Sequence, residues 1–250
     1  MDCEGRQGPR LLNAEARRAK QSDARVLKPD AYARWRSSPL GRITERIEQK
    51  AILASAGELR GLSLLDAGCG DGAYSILAWK RGAKVTALDA SKSMIFAARE
   101  RSLVEGARID FVEASVEKLP FAAESFDVVF MVTVLCLVNS PLIALREAER
   151  VLRPGGRLIV GELGSCSLWA LKRRLSGWLG NPFWSNAHFW TQYELHEVIT
   201  NQGLKVRSTR GSIYYPPFGC AAQLLGGAEG VLSHLGGFGA AFLTVRAEKV

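Results

Sequence analysis

The stretch Leu64-Leu65-Asp66-Ala67-Gly68-Cys69-Gly70-Asp71-Gly72 decides the fold, because three alternate glycines follow an apolar run and precede the helix-forming Tyr74-Ser75-Ile76-Leu77-Ala78. Glycine tolerates positive φ and carries no Cβ, so the chain can turn sharply here and let a ligand approach its backbone. The free N–H groups that open the next helix face the same side. Strand, glycine turn and helix in this order begin a nucleotide-binding α/β unit. A G-x-G run alone also serves as a plain tight turn, so the strand that follows must carry part of the argument.

That strand is Ala83-Lys84-Val85-Thr86-Ala87-Leu88-Asp89. It is short and apolar and ends in a carboxylate about 20 residues after the glycines, where such units grip the hydroxyls of a ribose. Asp89 also suits the N-terminus of a helix over 91–101, and the two roles are compatible. Farther along, the pattern predicts strands at 63–66, 84–89, 109–113, 126–132 and 157–162. Helices are expected at 73–81, 92–105 and 142–152. A helix over 193–201, a strand over 204–215 and a last strand over 239–248 complete the series. Alternating apolar strands and helices mean a largely parallel sheet covered on both faces. The glycine-rich stretch 226–239 reads as a loose helix and loop.

Five segments together resemble the class I S-adenosylmethionine-dependent methyltransferases of the small-molecule type, the methyltransferase type 11-like family. They are L-L-D-A-G-C-G-D-G at 64–72, V-T-A-L-D-A-S at 85–91, F-V-E-A-S-V-E-K-L-P-F at 111–121, S-F-D-V-V at 125–129 and R-V-L-R-P-G-G-R-L at 150–158. Their order and spacing match across 62–162, and W-T-Q-Y-E-L at 190–195 and G-A-A-F-L at 239–243 look like later landmarks of the family. A dinucleotide dehydrogenase would place two residues, not one, between its last glycines. The resemblance implies a Rossmann-like α/β fold, with a seven-stranded, mostly parallel sheet, an antiparallel last strand and helices on both faces. It also implies S-adenosyl-L-methionine as cofactor, and methyl transfer by in-line displacement to a small acceptor.

Carried over residue by residue, the resemblance places Asp66 and the backbone of Ala67, Gly68 and Gly70 at the methionine end of the cofactor. It gives Asp89 the ribose hydroxyls, and Ala90 with Met94 the flanks of the adenosine. Relatives often carry an Asp for the adenine amino group where Ser115 stands, so Ser115 and Val116 must serve with a hydroxyl and backbone groups. Relatives often carry a His where Leu137 stands, so an apolar wall replaces a polar group there. The segment 30–42, with Tyr32 and Trp35, looks like the family's N-terminal cover over the bound cofactor. Two groups remain as candidate catalytic bases: His188 and Glu162. His196 and His234 lie on helical patterns and read as structural.

Composition bounds the rest. At 250 residues and 47% hydrophobic content the chain suits a soluble globular domain with a full core. Five scattered cysteines with no C-x-x-C pair indicate neither a disulfide framework nor a zinc site, and no metal is expected. No apolar segment follows the N-terminal basic residues, and the longest apolar run, 128–138, is too short to span a bilayer, so a cytoplasmic protein is expected. The net charge of +8 is uneven: 61–164 carries 12 basic and 13 acidic residues, whereas 165–250 carries 8 and 4. The expected organisation is a polar, mobile basic arm at 1–28 and one domain at 29–250. That domain includes an N-terminal cap at 29–60 and an inserted substrate lid at 163–190.

Within that lid, Leu168, Leu171, Leu175, Trp178 and Leu179 fall on one face of a helix at 100° per residue, while Lys172, Arg173 and Arg174 avoid its centre. This predicts an apolar face with a basic back, packed in the core, laid over the acceptor, or set as a surface that touches lipid headgroups. The leading reading is a methyltransferase, monomeric or homodimeric, for a small apolar or aromatic acceptor. Two alternatives stay open: an enzyme in peripheral contact with a membrane that methylates a lipid or a quinone, and a cofactor-binding protein without transfer activity. Nucleic acid is not an expected partner, because the chain has no N-P-P-Y motif after the fourth strand and no appended RNA-binding domain.

Overall fold

The computed structural model describes residues 29–225 and 236–250. Seven strands, β1 Ser63–Ala67, β2 Lys84–Asp89, β3 Ile109–Glu113, β4 Phe126–Val132, β5 Leu152–Leu163, β6 Leu204–Ser212 and β7 Phe242–Lys249, form one sheet. Its order is β3-β2-β1-β4-β5-β7-β6. The first five strands are parallel, and β7 runs antiparallel between β5 and β6. The helices are α1 Pro29–Ser37, α2 Pro39–Ala56, α3 Ala73–Lys80, α4 Lys92–Val104, α5 Pro141–Val151, α6 Leu168–Trp178, α7 Pro182–Ser185, α8 Gln192–Thr200 and α9 Gly219–Leu225. Among the described residues, no helix is long and apolar enough to cross a membrane.

The central strands β1 and β4 are mostly apolar because both faces of the sheet are covered there. Successive strand residues point to opposite faces. Leu64, Val128 and Phe130 accordingly join a cluster with Ile52 and Phe242, while Leu65, Val129 and Met131 join one with Leu145 and Leu195. The strand order reverses between β1 and β4, and a ligand crevice in an open α/β sheet forms at the carboxyl ends of the strands at such a switch point. The glycine turn at 68–72 sits at that edge.

Several boundaries differ from the expected ones for identifiable reasons. Helix α2 starts at Pro39, inside the expected cap, because the Ser38 hydroxyl accepts from the Gly41 amide and Pro39 occupies the first turn. Strand β6 stops at Ser212, since Ile213 takes a φ of 63° that breaks the extended run. Helix α9 lies where no element was expected. The expected arm at 1–28 and most of the expected loop at 226–239 lie outside the described residues.

Candidate functional site

The turn after β1 is built on left-handed glycines: φ is 84° at Gly68 and 54° at Gly70. A Cβ at Gly68 would stand 2.4 Å from Cγ2 of Val134, so this position lets the turn pass beneath the loop that follows β4. At Gly70 a Cβ would meet no protein atom within 4 Å. The two glycines therefore face different things, the first the protein and the second the open side of the turn.

Asp89, at the end of β2, is joined to this turn. Its Oδ2 accepts from the Gly70 amide at 2.9 Å and its Oδ1 from the Ser91 amide at 2.8 Å. A carboxylate has about four lone-pair sites, so two backbone bonds fix its direction and leave each oxygen able to accept again. Burial pushes the Asp89 carboxyl above its usual range, and the two amides draw it back. Ala90 is exposed beside it, and Met94 is buried in the first turn of α4, where its amide meets the Ser91 hydroxyl at 3.4 Å. These features fit a nucleoside: a close backbone approach, an oriented carboxylate and a small exposed residue, all at one strand edge.

Other predicted residues occupy different places. Asp66 is 1% exposed and its Oδ2 accepts from the Ser75 hydroxyl at 2.5 Å, so it ties the end of β1 to α3 from beneath the turn instead of lining it. Burial raises its carboxyl to about 7. Ala67 ends β1, one residue beyond the expected strand end at Asp66. Ser115 is exposed and its hydroxyl accepts from the Glu117 amide at 3.1 Å; Val116 is buried against the core. Glu117, in turn, accepts from the Ser140 amide at 2.7 Å ahead of α5. The Tyr32 side chain lies outside the described residues.

The N-terminal helices are latched to the glycine turn. Arg36 of α1 grips Asp71 with two guanidinium nitrogens, at 2.7 and 2.8 Å, and its Nε stands 2.9 Å from Glu45 of α2. Arg101 of α4 reaches the same Asp71 at 3.2 Å. Arg36→Gln should therefore speed amide exchange across 29–37 and lower stability by about 2 kcal/mol, because Glu45 loses its cation and Asp71 keeps only the longer contact to Arg101. Unchanged exchange in that helix would show that the latch is ornamental.

Beyond β4 and β5 lies a second group of buried polar residues. Glu162 is fully buried, and its Oε1 accepts from the amides of Val134 and Leu135 at 2.9 and 2.6 Å. It anchors the loop after β4, with the buried Cys136 thiol beside it, and burial lifts its carboxyl to about 7. His188 is exposed; its amide donates to the Cys136 carbonyl at 2.9 Å and its ring lies 4.3 Å from that of Trp190. Glu48, which the sequence did not single out, is 8% exposed on α2 and its carboxyl is raised to about 7, chiefly by burial, against the opposing pull of Arg173. It stands one helical turn before Ile52, whose side chain packs at Gly161 on β5, and nothing in the sequence marks it.

The lid helix α6 is inverted relative to expectation. Trp169, Ala170 and Gly177 face the domain, and Arg173 lies between the rings of Trp169 and Trp184, 5.1 and 4.9 Å from their centroids. The leucine stripe is on the outside. The aromatic faces attract the guanidinium, and the long stem of arginine packs on apolar neighbours, so the Arg173 side is the one the domain can take up.

A mostly parallel sheet with β7 inserted antiparallel, a glycine turn at the switch point and an acidic residue ending β2 define a nucleoside-binding Rossmann-like protein. A family model described as a methyltransferase domain matches residues 65–160. The chain is 32% identical over 167 residues to a ubiquinone biosynthesis O-methyltransferase of Xanthomonas euvesicatoria pv. vesicatoria, covering 64% of this chain and 69% of that protein. It is 31% identical over 187 residues to an uncharacterized protein of Mycobacterium tuberculosis, covering 75% of this chain but only 62% of that relative's length. The fold matches that of a SAM-dependent methyltransferase from Thermotoga maritima with a TM-score of 0.67 and 25% identity, over 88% of this chain and 95% of the other. The chain belongs to the S-adenosylmethionine-dependent methyltransferases.

Proposed function

We propose that this protein binds S-adenosylmethionine at the glycine turn and transfers its methyl group to an oxygen of a small aromatic or apolar acceptor. The observation that carries this reading is the Asp89 carboxylate, aimed by the Gly70 and Ser91 amides at the open side of that turn. When bound, the cofactor supplies a methyl group on a sulfonium, an electrophile that requires no covalent enzyme intermediate. Asp89 accepts from the ribose hydroxyls, Gly68, Gly70 and Ala67 border the amino-acid end with backbone groups, and Ala90 and Met94 flank the base. Ser115 and Val116 meet the adenine edge, and Asp66 supports the turn without touching the ligand. Tyr32 belongs to the segment that covers it.

On the acceptor side, Glu48 holds the proton released by a hydroxyl nucleophile, and His188 is the second group able to do so. Glu162 shapes the loop after β4 and is a positioning residue. Relatives named for ubiquinone O-methylation support an oxygen on a ring as the nucleophile. Calorimetry with S-adenosylhomocysteine should show binding, weakened in Asp89→Ala by about 1.5–3 kcal/mol, the range for a hydrogen bond to a charged group. Transfer to phenolic probes should rise with pH through about 7, since a proton-accepting Glu48 must be ionised. Glu48→Gln should remove that limb and leave cofactor affinity unchanged. Absence of cofactor binding would overturn the whole reading; a pH limb that persists in Glu48→Gln would remove only Glu48.

A further inference from the structure

The stripe Leu168, Leu171, Leu175, Trp178 and Leu179 is exposed along α6 and its C-terminal end, with Trp178 at 81% and Leu179 at 89% exposure. It cannot be the inner surface of a closing lid, because the opposite face of α6 is already engaged. Trp169 is buried and donates its indole N–H to the Tyr215 carbonyl at 2.9 Å. A Cβ at Gly177 would stand 2.9 Å from the amide of Ser185, so α6 and α7 are in backbone contact. Arg173 fills the space between the two tryptophans. Rotating the stripe inward would break all three.

The borders of the stripe are cationic. At 100° per residue, Lys172 falls on one flank and Arg174 on the other. Both are exposed, and Arg174 rests on the Phe189 ring with its guanidinium carbon 5.2 Å from the centroid. Across 163–193 the chain carries three basic residues and no Asp or Glu. An apolar stripe flanked by Lys and Arg, with a tryptophan at one end and no Asp or Glu on its own segment, is the pattern of a helix that lies in the plane of a lipid interface. A protein partner would need no such uniform sign of charge.

We propose that the outward face of α6 is a docking surface for an anionic lipid bilayer, seated at headgroup depth with its leucines and Trp178 inward and Lys172 and Arg174 among the phosphates. The proposal stands on the helix face and does not depend on the identity of the acceptor.

The test is co-sedimentation of the full chain with vesicles of phosphatidylcholine alone or mixed with phosphatidylglycerol, without cofactor or acceptor. The wild type should pellet with the anionic vesicles. Leu171→Ser combined with Leu175→Ser and Trp178→Ser should bind about tenfold more weakly or worse, through lost apolar burial. Lys172→Gln and Arg174→Gln should each weaken binding to the mixed vesicles about fivefold and leave phosphatidylcholine binding unaltered. All of these positions are exposed, so an unchanged thermal midpoint verifies folding. A wild type that stays in the supernatant with both vesicles overturns the proposal, as does a triple variant that pellets equally well. A concentration-dependent dimer, lost in the triple variant while vesicles are ignored, would assign the face to a second copy instead. Vesicle binding without methyl transfer would leave this inference standing and defeat only the proposed activity.

Discussion

Gly70→Val should weaken binding of S-adenosylhomocysteine at least about a hundredfold, or roughly 2.7 kcal/mol, while the protein remains folded. A side chain there meets no protein atom within 4 Å, so the fold has room for it. The substitution does carry a cost of about 1–2 kcal/mol, because φ is 54° and a β-branched residue resists that conformation. The loss of binding has two sources: isopropyl bulk on the open side of the turn, and disturbance of the amide that aims Asp89. Gly68→Val is the contrasting case. Its Cβ would collide with Val134, so its effect should appear first as lost stability and a displaced loop after β4. Calorimetry and thermal melts on the two variants separate these outcomes, and affinity within about threefold of wild type for Gly70→Val would remove the turn from the nucleoside site.

Glu162→Ala should destabilise the protein by about 3–5 kcal/mol. The change leaves the Val134 and Leu135 amides without their acceptor in a fully buried position, and each unsatisfied group carries a desolvation penalty of about 1–3 kcal/mol. Glu162→Gln keeps an acceptor oxygen and should lose far less. The same pair reports on pH. The folded carboxyl is raised to about 7 from its ordinary 4.5, so the folded state holds a proton that the unfolded state releases. That contribution to stability is complete below about pH 4.5 and is lost as pH rises through about 7. Glu48 and Asp66 share both the direction and the printed value. Lowered carboxyls such as Asp127 and Glu147 oppose this at more acidic pH, but they lie nearer the surface and count for less. Denaturant melts across pH 5 to 8 should therefore show falling stability, and Glu162→Gln should flatten the slope. A slope identical in the two proteins would mean that Glu162 is ionised throughout.

Much of the fold was readable from period and punctuation. Alternate residues of β1 and β4 feed opposite cores, and Gly68 to Gly72 mark where the chain turns between layers, so local pattern and tertiary packing agree. Asp89 was readable for the same reason, as a carboxylate at a fixed distance from a fixed turn. Glu162 was noticed as a candidate base, yet its bonds to Val134 and Leu135 depend on a neighbouring strand, which no local pattern records. The lid illustrates a deeper limit. Periodicity separates the two faces of α6 but does not say which one the domain takes, and two tryptophans with an arginine between them outcompeted five leucine and tryptophan side chains for that place. Glu48 escaped notice because one glutamate in an amphipathic helix has no signature until Arg173 is brought opposite from far along the chain.

The strand order also bears on how the protein is made. The slot between β5 and β6 is filled by β7, the last strand in the chain. During synthesis, β5 emerges early with one edge paired to β4 and the other bare, and β6 follows with no neighbour at all. Neither can be satisfied until Phe242–Lys249 has left the ribosome. An apolar parallel sheet with an open edge is a template for pairing with other chains. The nascent protein is thus most exposed to aggregation in the interval between β5 and β7, and a chaperone that shields that edge would act there.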